Sequence, residues 1–106
     1  IRQPDFVTPD VLEAAIMNVS KKKSLSRFKD VRLESIEDGD CVQILHVGPY
    51  DDEPESFMKV DEFCAAHNLQ RANDEWHREI YLSDARKVEP AKLKTVLRVQ
   101  VKSMQF

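Results

Sequence analysis

The sequence predicts an α+β fold, in which an antiparallel sheet carries two helices on one face. Apolar residues recur at helical spacing in two segments, Pro9–Lys23 and Pro54–Asn68. Side chains alternate with period two in two late segments, His77–Leu82 and Thr95–Lys102. An Asp-Gly step also separates two earlier strand-like runs, which is a strong hairpin signal. The order helix, hairpin, helix and two strands favours helices layered on one face of the sheet.

The first helix is predicted to begin at Thr8 and Pro9, with Thr as the cap and Pro at the first helical position. The apolar positions that share one face are Val11, Leu12, Ala15, Ile16 and Val19. Lysines at positions 21–23 suit the negative end of the helix dipole. A polar linker is expected from Ser24 to Asp30.

The hairpin is predicted to join Val31–Glu37 and Cys41–Val47 through Asp38-Gly39-Asp40. Gly48-Pro49-Tyr50 should end its second strand.

The second helix is predicted over Pro54–Asn68, with Asn68 as its stop. Its apolar face holds Phe57, Val60, Phe63, Cys64 and His67. After a polar loop and the third strand, one helical turn is expected at Pro90–Lys94, before the fourth strand.

The third strand places an acidic side chain among ring-bearing neighbours. Ile80 and Leu82 point to one side of it, whereas His77, Glu79 and Tyr81 point to the other. We expect the helices to cover the apolar side, which leaves Glu79 facing solvent, a partner or a ligand. An enclosed Glu79 would be costly to ionise without a cation or donors nearby, whereas on a wet sheet face it is only solubilising.

The bulk composition excludes several classes of protein. The 106 residues suffice for one domain, with 33% charged and 42% hydrophobic residues. The net charge of -3 comes with no basic stripe, so no nucleic-acid partner is expected. No apolar run approaches the ~18 residues that span a membrane. Two cysteines are too few for a disulfide framework, and we assign the chain to the cytoplasm. Because it opens on Ile1, we expect a piece of a longer protein.

Metal and cofactor sites are not expected. Cys64 and His67 lie at positions i and i+3 of one helix, but structural zinc needs four ligands. Cys64 is better explained as a small buried hydrophobe. His46, in phase with Val42 and Ile44, is more simply a half-buried histidine than a general base. With two glycines, the chain has no glycine-rich phosphate loop.

Three motifs closely resemble the C-terminal half of GyrI-like small-molecule-binding proteins. They are QPDFVTPDVLEAA at Gln3–Ala15, VQILHVGPYDDEPESF at Val42–Phe57, and HREIYLSD with PAKLKTVLR at His77–Arg98. This bacterial family is related to the effector-binding domains of multidrug-sensing transcription regulators. The resemblance implies two similar strand-helix-strand-strand modules about a central cleft, of which residues 1–106 supply one, with a leading helix.

The resemblance also assigns residues to the cleft. The family glutamate that faces cationic, aromatic ligands matches Glu79, and the family tyrosine matches Tyr81. Some members resemble hydrolases that open cyclopropane-bearing genotoxins with these two residues. Ala85 departs from the proline that the family commonly has there. The larger departure is that half of the cleft is missing, so a second copy or a removed N-terminal module must supply it.

We therefore expect a module that binds hydrophobic, cationic xenobiotics in a cleft centred on Glu79, with no cofactor. Tyr81 offers a ring for a cation–π contact or a hydroxyl for a hydrogen bond, and could equally be a rim residue. Trp76 is a stacking wall or a core plug, and Tyr50 could reach the same face or anchor its turn. His77 completes the set. The alternatives are a hydrolase that uses Glu79 and Tyr81, and an interaction module linked to gyrase inhibition or transcription regulation.

Overall fold

The computed structural model describes residues 1–23 and 26–104, and the chain folds as two compact units. The first unit, Ile1–Glu37, contains one helix, and the second unit, Asp38–Phe106, contains an antiparallel four-stranded sheet and another helix. The predicted α+β class is confirmed. None of the helices in these ranges is long and apolar enough to cross a membrane.

Helix α1 spans Pro9–Lys22 and begins as predicted. The Thr8 hydroxyl accepts a hydrogen bond of 3.3 Å from the Val11 backbone N–H, and Pro9 occupies the first turn. Leu12 and Ile16 are half-buried and line a concave surface of about 400 Å³ with Leu33. A short 3-10 helix, Ser26–Asp30, occupies the expected linker, of which Ser24 and Leu25 lie outside the described residues.

The predicted hairpin is wrong, because residues 31–37 form no strand. The apolar side chains of this run are exposed, at 50% for Val31, 38% for Leu33 and 59% for Ile36. Alternation alone does not make a strand, since a strand needs a paired neighbour and a surface to cover. Gly39 adopts a left-handed φ of 63°, so the Asp-Gly step does turn the chain, but only one strand follows it.

Four strands and one helix build the second unit. They are β1 (Cys41–Val47), α2 (Glu53–Ala66), β2 (Leu69–Arg71), β3 (Arg78–Tyr81) and β4 (Lys94–Ser103). Strand β4 lies in the centre, with β1 antiparallel on one edge and both β2 and β3 antiparallel on the other. β3 pairs with the first half of β4 and β2 with the second, so the loop between β2 and β3 lies along that edge.

Element boundaries agree with the prediction to within a few residues. α2 ends just before Asn68, whose φ of 56° is the left-handed conformation of a helix stop. The expected turn before β4 is a 3-10 helix, Pro90–Lys92. Strand β2 lies where a polar loop was expected, because three residues are too few to show a period.

The core lies between α2 and one face of the sheet. Alternate residues of β4 are buried on this face: Thr95, Leu97, Val99 and Val101. Val60 and Cys64 of α2 pack against Val99 and Val101. Cys64 is 4% exposed, which confirms its assignment as a small core residue.

The expected orientation of β3 is wrong. Glu79 lies opposite Leu97 and Tyr81 opposite Thr95, so both project from the same face as the buried residues of β4, the face that α2 covers. Ile80 and Leu82 project from the other face, which is open to solvent. Glu79 therefore lies at the margin of the helix-covered core. Its side chain is more buried there than it would be on the solvent-facing side of the sheet.

Candidate functional site

Glu79 is held between two ring-bearing residues, His77 just before β3 and Tyr81 at the end of that strand. The His77 Nε2–H donates a hydrogen bond of 2.8 Å to Oε1, and the Tyr81 hydroxyl donates one of 2.7 Å to Oε2. Each carboxylate oxygen thus has its own donor, and the side chain is only 22% exposed. Three alternate residues of one extended segment lie on one face, so the strand itself fixes the orientation of the carboxylate.

The donors keep Glu79 ionised despite its partial burial. Burial alone would raise the pKa of Glu79, but the hydrogen bonds from His77, Tyr81 and Glu53 outweigh it and leave the pKa below its ordinary value. The same contact acts in reverse on the tyrosine: the hydrogen bond to Glu79, with burial, raises the pKa of Tyr81 to about 12. At neutral pH Glu79 is therefore an anionic carboxylate, and Tyr81 is a neutral phenol that donates its hydroxyl proton to the carboxylate in a hydrogen bond.

A second carboxyl group meets Glu79 from the start of α2. Glu53 is the first residue of that helix, and its carboxyl group interacts with the carboxylate of Glu79. The Oε2 atom of Glu53 is buried, and no N–H or O–H donor of the described residues reaches it. Burial, then the hydrogen bond and the charge of Glu79, raise the pKa of Glu53. Two carboxyl groups can share a hydrogen bond only when one of them carries the proton.

Aromatic rings line both sides of the glutamate. Tyr50 packs edge-to-face on Tyr81 with ring centroids 5.8 Å apart, and Phe57 packs edge-to-face on the His77 ring at 4.8 Å. A shallow groove of about 350 Å³ continues from His77, and its lining residues are Pro54, Phe57, Met58, Asp61, Arg71 and His77. The Arg71 guanidinium lies 5.3 Å from the centroid of the Phe57 ring.

A buried histidine fixes the turn that carries Tyr50. His46, 4% exposed, has its Nε2 2.8 Å from the Pro49 carbonyl and its Nδ1 2.7 Å from the Ser56 hydroxyl. Because a carbonyl can only accept, the Nε2–H of His46 donates to Pro49, while Nδ1 is hydrogen-bonded to the Ser56 hydroxyl. Gly48 makes the turn with a φ of 136°, which side chains rarely adopt. His46 is thus a structural residue that ties β1, the turn and α2 together.

The structure brings together four of the five predicted ligand-binding residues: Glu79, Tyr81, His77 and Tyr50. Trp76 stands apart, 42% exposed in the loop before β3, where its backbone N–H donates to the Asn73 side chain. Sequence reasoning missed Glu53 and Phe57. Glu53 lies in a turn-like acidic stretch, and only the position of α2 on the sheet shows that it reaches Glu79. Within the described ranges, no three His, Cys, Asp or Glu side chains converge as metal ligands.

The cluster can therefore provide one fixed negative charge beside aromatic rings. Such a surface attracts a cation through the carboxylate and through the negative faces of the rings, and it disfavours anions. We name the cluster of Glu79, His77, Tyr81, Tyr50 and Glu53 the glutamate site.

Comparisons with known proteins show the family to which the fold belongs. The model of the GyrI-like small molecule binding domain matches residues 8–102. No curated protein matches the chain significantly.

Solved structures from Listeria innocua share the fold. An uncharacterized conserved protein is 43% identical, with a TM-score of 0.79 over 95% of this chain and 50% of that one. A hydrolase is 41% identical, with a TM-score of 0.75 over 95% of this chain and 52% of that one. A further structure of a hydrolase, also 41% identical, has a TM-score of 0.72 over 95% of this chain and 50% of that one. The chain thus spans about half the length of these proteins, and the domain match shows that it belongs to the GyrI-like small-molecule-binding family.

Proposed function

We propose that the chain binds hydrophobic, cationic small molecules of the xenobiotic class in a cleft centred on Glu79. Membership in a small-molecule-binding family gives the general activity. The observation that carries the finer proposal is the state of Glu79, a carboxylate only 22% exposed, whose charged form is fixed by donors from His77 and Tyr81. A fixed, partly desolvated anion recognises a positive charge.

Coulombic arithmetic supports a preference for cations. Two opposite unit charges ~4 Å apart attract by about 4 kcal/mol at an effective dielectric constant of ~20. Loss of ligand hydration takes back part of this energy, while a cation–π contact with Tyr81 or Tyr50 adds about 0.5–2 kcal/mol. A neutral aromatic ligand of the same shape gains only the contact with the rings. The site should therefore discriminate between ligands chiefly by charge.

Each residue of the site has a distinct part in this proposal. Glu79 supplies the charge, and His77 and Tyr81 orient it. Tyr50 and Tyr81 supply ring surface, since the two are 40% and 62% exposed. Trp76, exposed before β3, is proposed as a stacking residue that meets only the larger ligands.

A hydrolase that opens cyclopropane-type electrophiles is the second candidate. It is favoured by the similarity to hydrolases from Listeria innocua and by the short Tyr81–Glu79 hydrogen bond. In that reaction a water molecule, directed by Glu79, would add its oxygen to the electrophilic carbon of the strained ring. The carbon–carbon bond would break, and the carbon that takes the electron pair would be protonated with the help of Tyr81.

The other half of the cleft is proposed to come from a second module, in a longer chain or in a second copy of this one. Apart from the cleft, the face of the sheet opposite to Glu79 exposes apolar side chains that a partner could cover: Leu45 is 50%, Val47 55% and Leu82 58% exposed. Two copies could cover this face isologously. A bacterial cytoplasm is the proposed location, since Cys41 and Cys64 are free thiols.

A fluorescence titration tests the binding proposal. The cationic dye rhodamine 6G and the neutral N-phenyl-1-naphthylamine should both bind, the cation more tightly, and added salt should weaken only the cation. Equal affinities, or tighter binding of the neutral dye, would refute the proposal. The hydrolase candidate predicts instead multiple turnovers of a cyclopropane-bearing electrophile above the buffer rate.

A further inference from the structure

Glu53 is a half-buried acidic residue of the glutamate site, and a binding mechanism that uses only the charge of Glu79 assigns it no role. Its Oε2 is buried without a donor among the described residues, and its carboxyl group meets the carboxylate of Glu79. The start of α2 does not itself require a carboxyl group that faces Glu79, since an exposed polar residue could begin the helix equally well. Placing a carboxyl group here, against another carboxyl group, instead destabilises the empty site unless a proton or a cation lies between them.

We propose that Glu53 is a second acidic residue of the ligand site, that it shares a proton with Glu79 when the site is empty, and that it gives up this proton when an organic cation binds. The proposal rests on the proposed function of the glutamate site. It adds a second charge to that site and couples ligand affinity to pH.

The geometry decides which of the two residues carries the proton. Glu79 already accepts from His77 and Tyr81, so its oxygens are supplied with donors and favour the ionised form. The Oε2 atom of Glu53 has no donor among the described residues, so Glu53 takes the proton and donates it to Glu79. The opposite directions of the two pKa shifts, raised for Glu53 and lowered for Glu79, agree with this assignment.

A bound cation reverses the preference of Glu53. With the proton in place the two carboxyl groups carry one negative charge, and without it they carry two. A cation near both groups stabilises the doubly charged form, so ligand binding and proton release are thermodynamically linked. The sign follows directly: lowering the pH protonates Glu53 and weakens the binding of cations, and raising the pH strengthens it.

Other titratable groups face Glu53 and must be separated from it. They are His77 and Glu79 on β3, His46 on β1, and Tyr81 through its contact with Glu79. A histidine side chain can gain a positive charge between about pH 8 and 5, and a positive charge beside the site repels a cationic ligand. A comparison that leaves both histidines in place isolates the part that belongs to Glu53.

The substitution Glu53→Gln provides that comparison. Its amide N–H can donate to Glu79 as the protonated acid does, but it can never ionise. At about pH 8 we expect the variant to bind rhodamine 6G about tenfold more weakly than the original chain, and this difference should narrow as the pH is lowered and Glu53 takes up its proton. Glu55→Gln, an exposed acid two positions along α2, should behave as the original chain at every pH.

The ratio of the two affinities is therefore the decisive quantity. If the ratio between Glu53→Gln and the original chain is one, or is the same at every pH, the proposal is overturned. If the original chain binds no cation at all, the proposed function fails with it. If Glu79→Gln weakens binding and Glu53→Gln does not, the proposal for Glu53 is refuted and the proposed function of Glu79 stands.

A measurement without ligand provides a second test. Carboxyl ¹³C NMR should show Glu53 titrating above its ordinary value of 4.5, and the midpoint should fall in Glu79→Gln, which removes the facing charge. A midpoint that does not respond to Glu79→Gln would show that the two groups share no proton.

Discussion

Glu79→Gln is the perturbation that most sharply separates recognition of charge from recognition of shape. The amide keeps the size of the side chain and one oxygen, which still accepts from Tyr81 or His77. The full Coulombic term, about 4 kcal/mol at ~4 Å, is an upper limit, because the side chain is 22% exposed and the ligand loses hydration. We expect a loss of about 1–3 kcal/mol for rhodamine 6G, or roughly 5- to 150-fold in Kd.

Two controls make this prediction specific. Binding of the neutral N-phenyl-1-naphthylamine should change less than about threefold, since it makes no ionic contact. Glu62→Gln removes the same charge from an exposed position of α2 and should leave both dyes unaffected. The unfolding free energy of Glu79→Gln should change by about 1 kcal/mol or less, because the cost of the weakened hydrogen bonds is offset by removal of a partly desolvated charge. An equal loss for both dyes, or no loss for either, would mean that Glu79 does not recognise charge.

Three further predictions address the rest of the structure. Tyr81→Phe removes the 2.7 Å hydrogen bond but keeps the ring, so NMR should show a higher pKa for Glu79 while rhodamine binding changes little; an unchanged pKa would contradict the contact. Asp38→Asn should destabilise the fold by about 1–3 kcal/mol in urea, because Asp38 accepts from Arg78 at 2.8 Å and from a second arginine, whereas Asp74→Asn, at an exposed loop position, should have no measurable effect. The arginines lower the pKa of Asp38, so its contribution is complete above the ordinary value of 3.8 and disappears as the pH falls through the lowered one; a variant equally stable at neutral pH would refute this. Sedimentation at micromolar concentration should show a dimer of the isolated chain, and a clean monomer would leave the pairing through the open sheet face without support.

Part of the glutamate site could be predicted because it is local in sequence. Three alternate residues of a strand share a face whatever the rest of the fold does, so His77, Glu79 and Tyr81 were grouped correctly. The helix stop at Asn68 and the Thr8 cap are also local, since each depends on the conformation of one or two residues. The expectation that Glu79 faces a ligand came from the family resemblance, because the spacing of residues does not indicate it.

The orientation of β3 could not be predicted, because both faces of this sheet carry apolar side chains. Ile80 and Leu82 suggested the core face, yet Leu45 and Val47 of β1 project from the same open face and are half exposed. Hydrophobicity therefore does not show which face α2 covers. The register with β4, which places Glu79 opposite the fully buried Leu97, decides the matter, and register is a long-range property.

Glu53 was missed for the same reason. Its neighbours in sequence are acidic and turn-forming, and the run describes an ordinary helix start rich in negative charge. Only the packing of α2 across the sheet brings it to Glu79. The residues 31–37 show the converse case, in which a clear local alternation forms no strand.

The location of a bound cation is the most direct test of the central claim. A crystal structure of the chain with rhodamine 6G should place the charged end of the dye within about 4–6 Å of the Glu79 carboxylate, with its ring system against Tyr50 or Tyr81. The competing concave surface lies on α1, where Leu12 and Ile16 offer apolar contact and no fixed carboxylate pair. A dye bound there, or bound with its charge directed away from Glu79, would contradict the account.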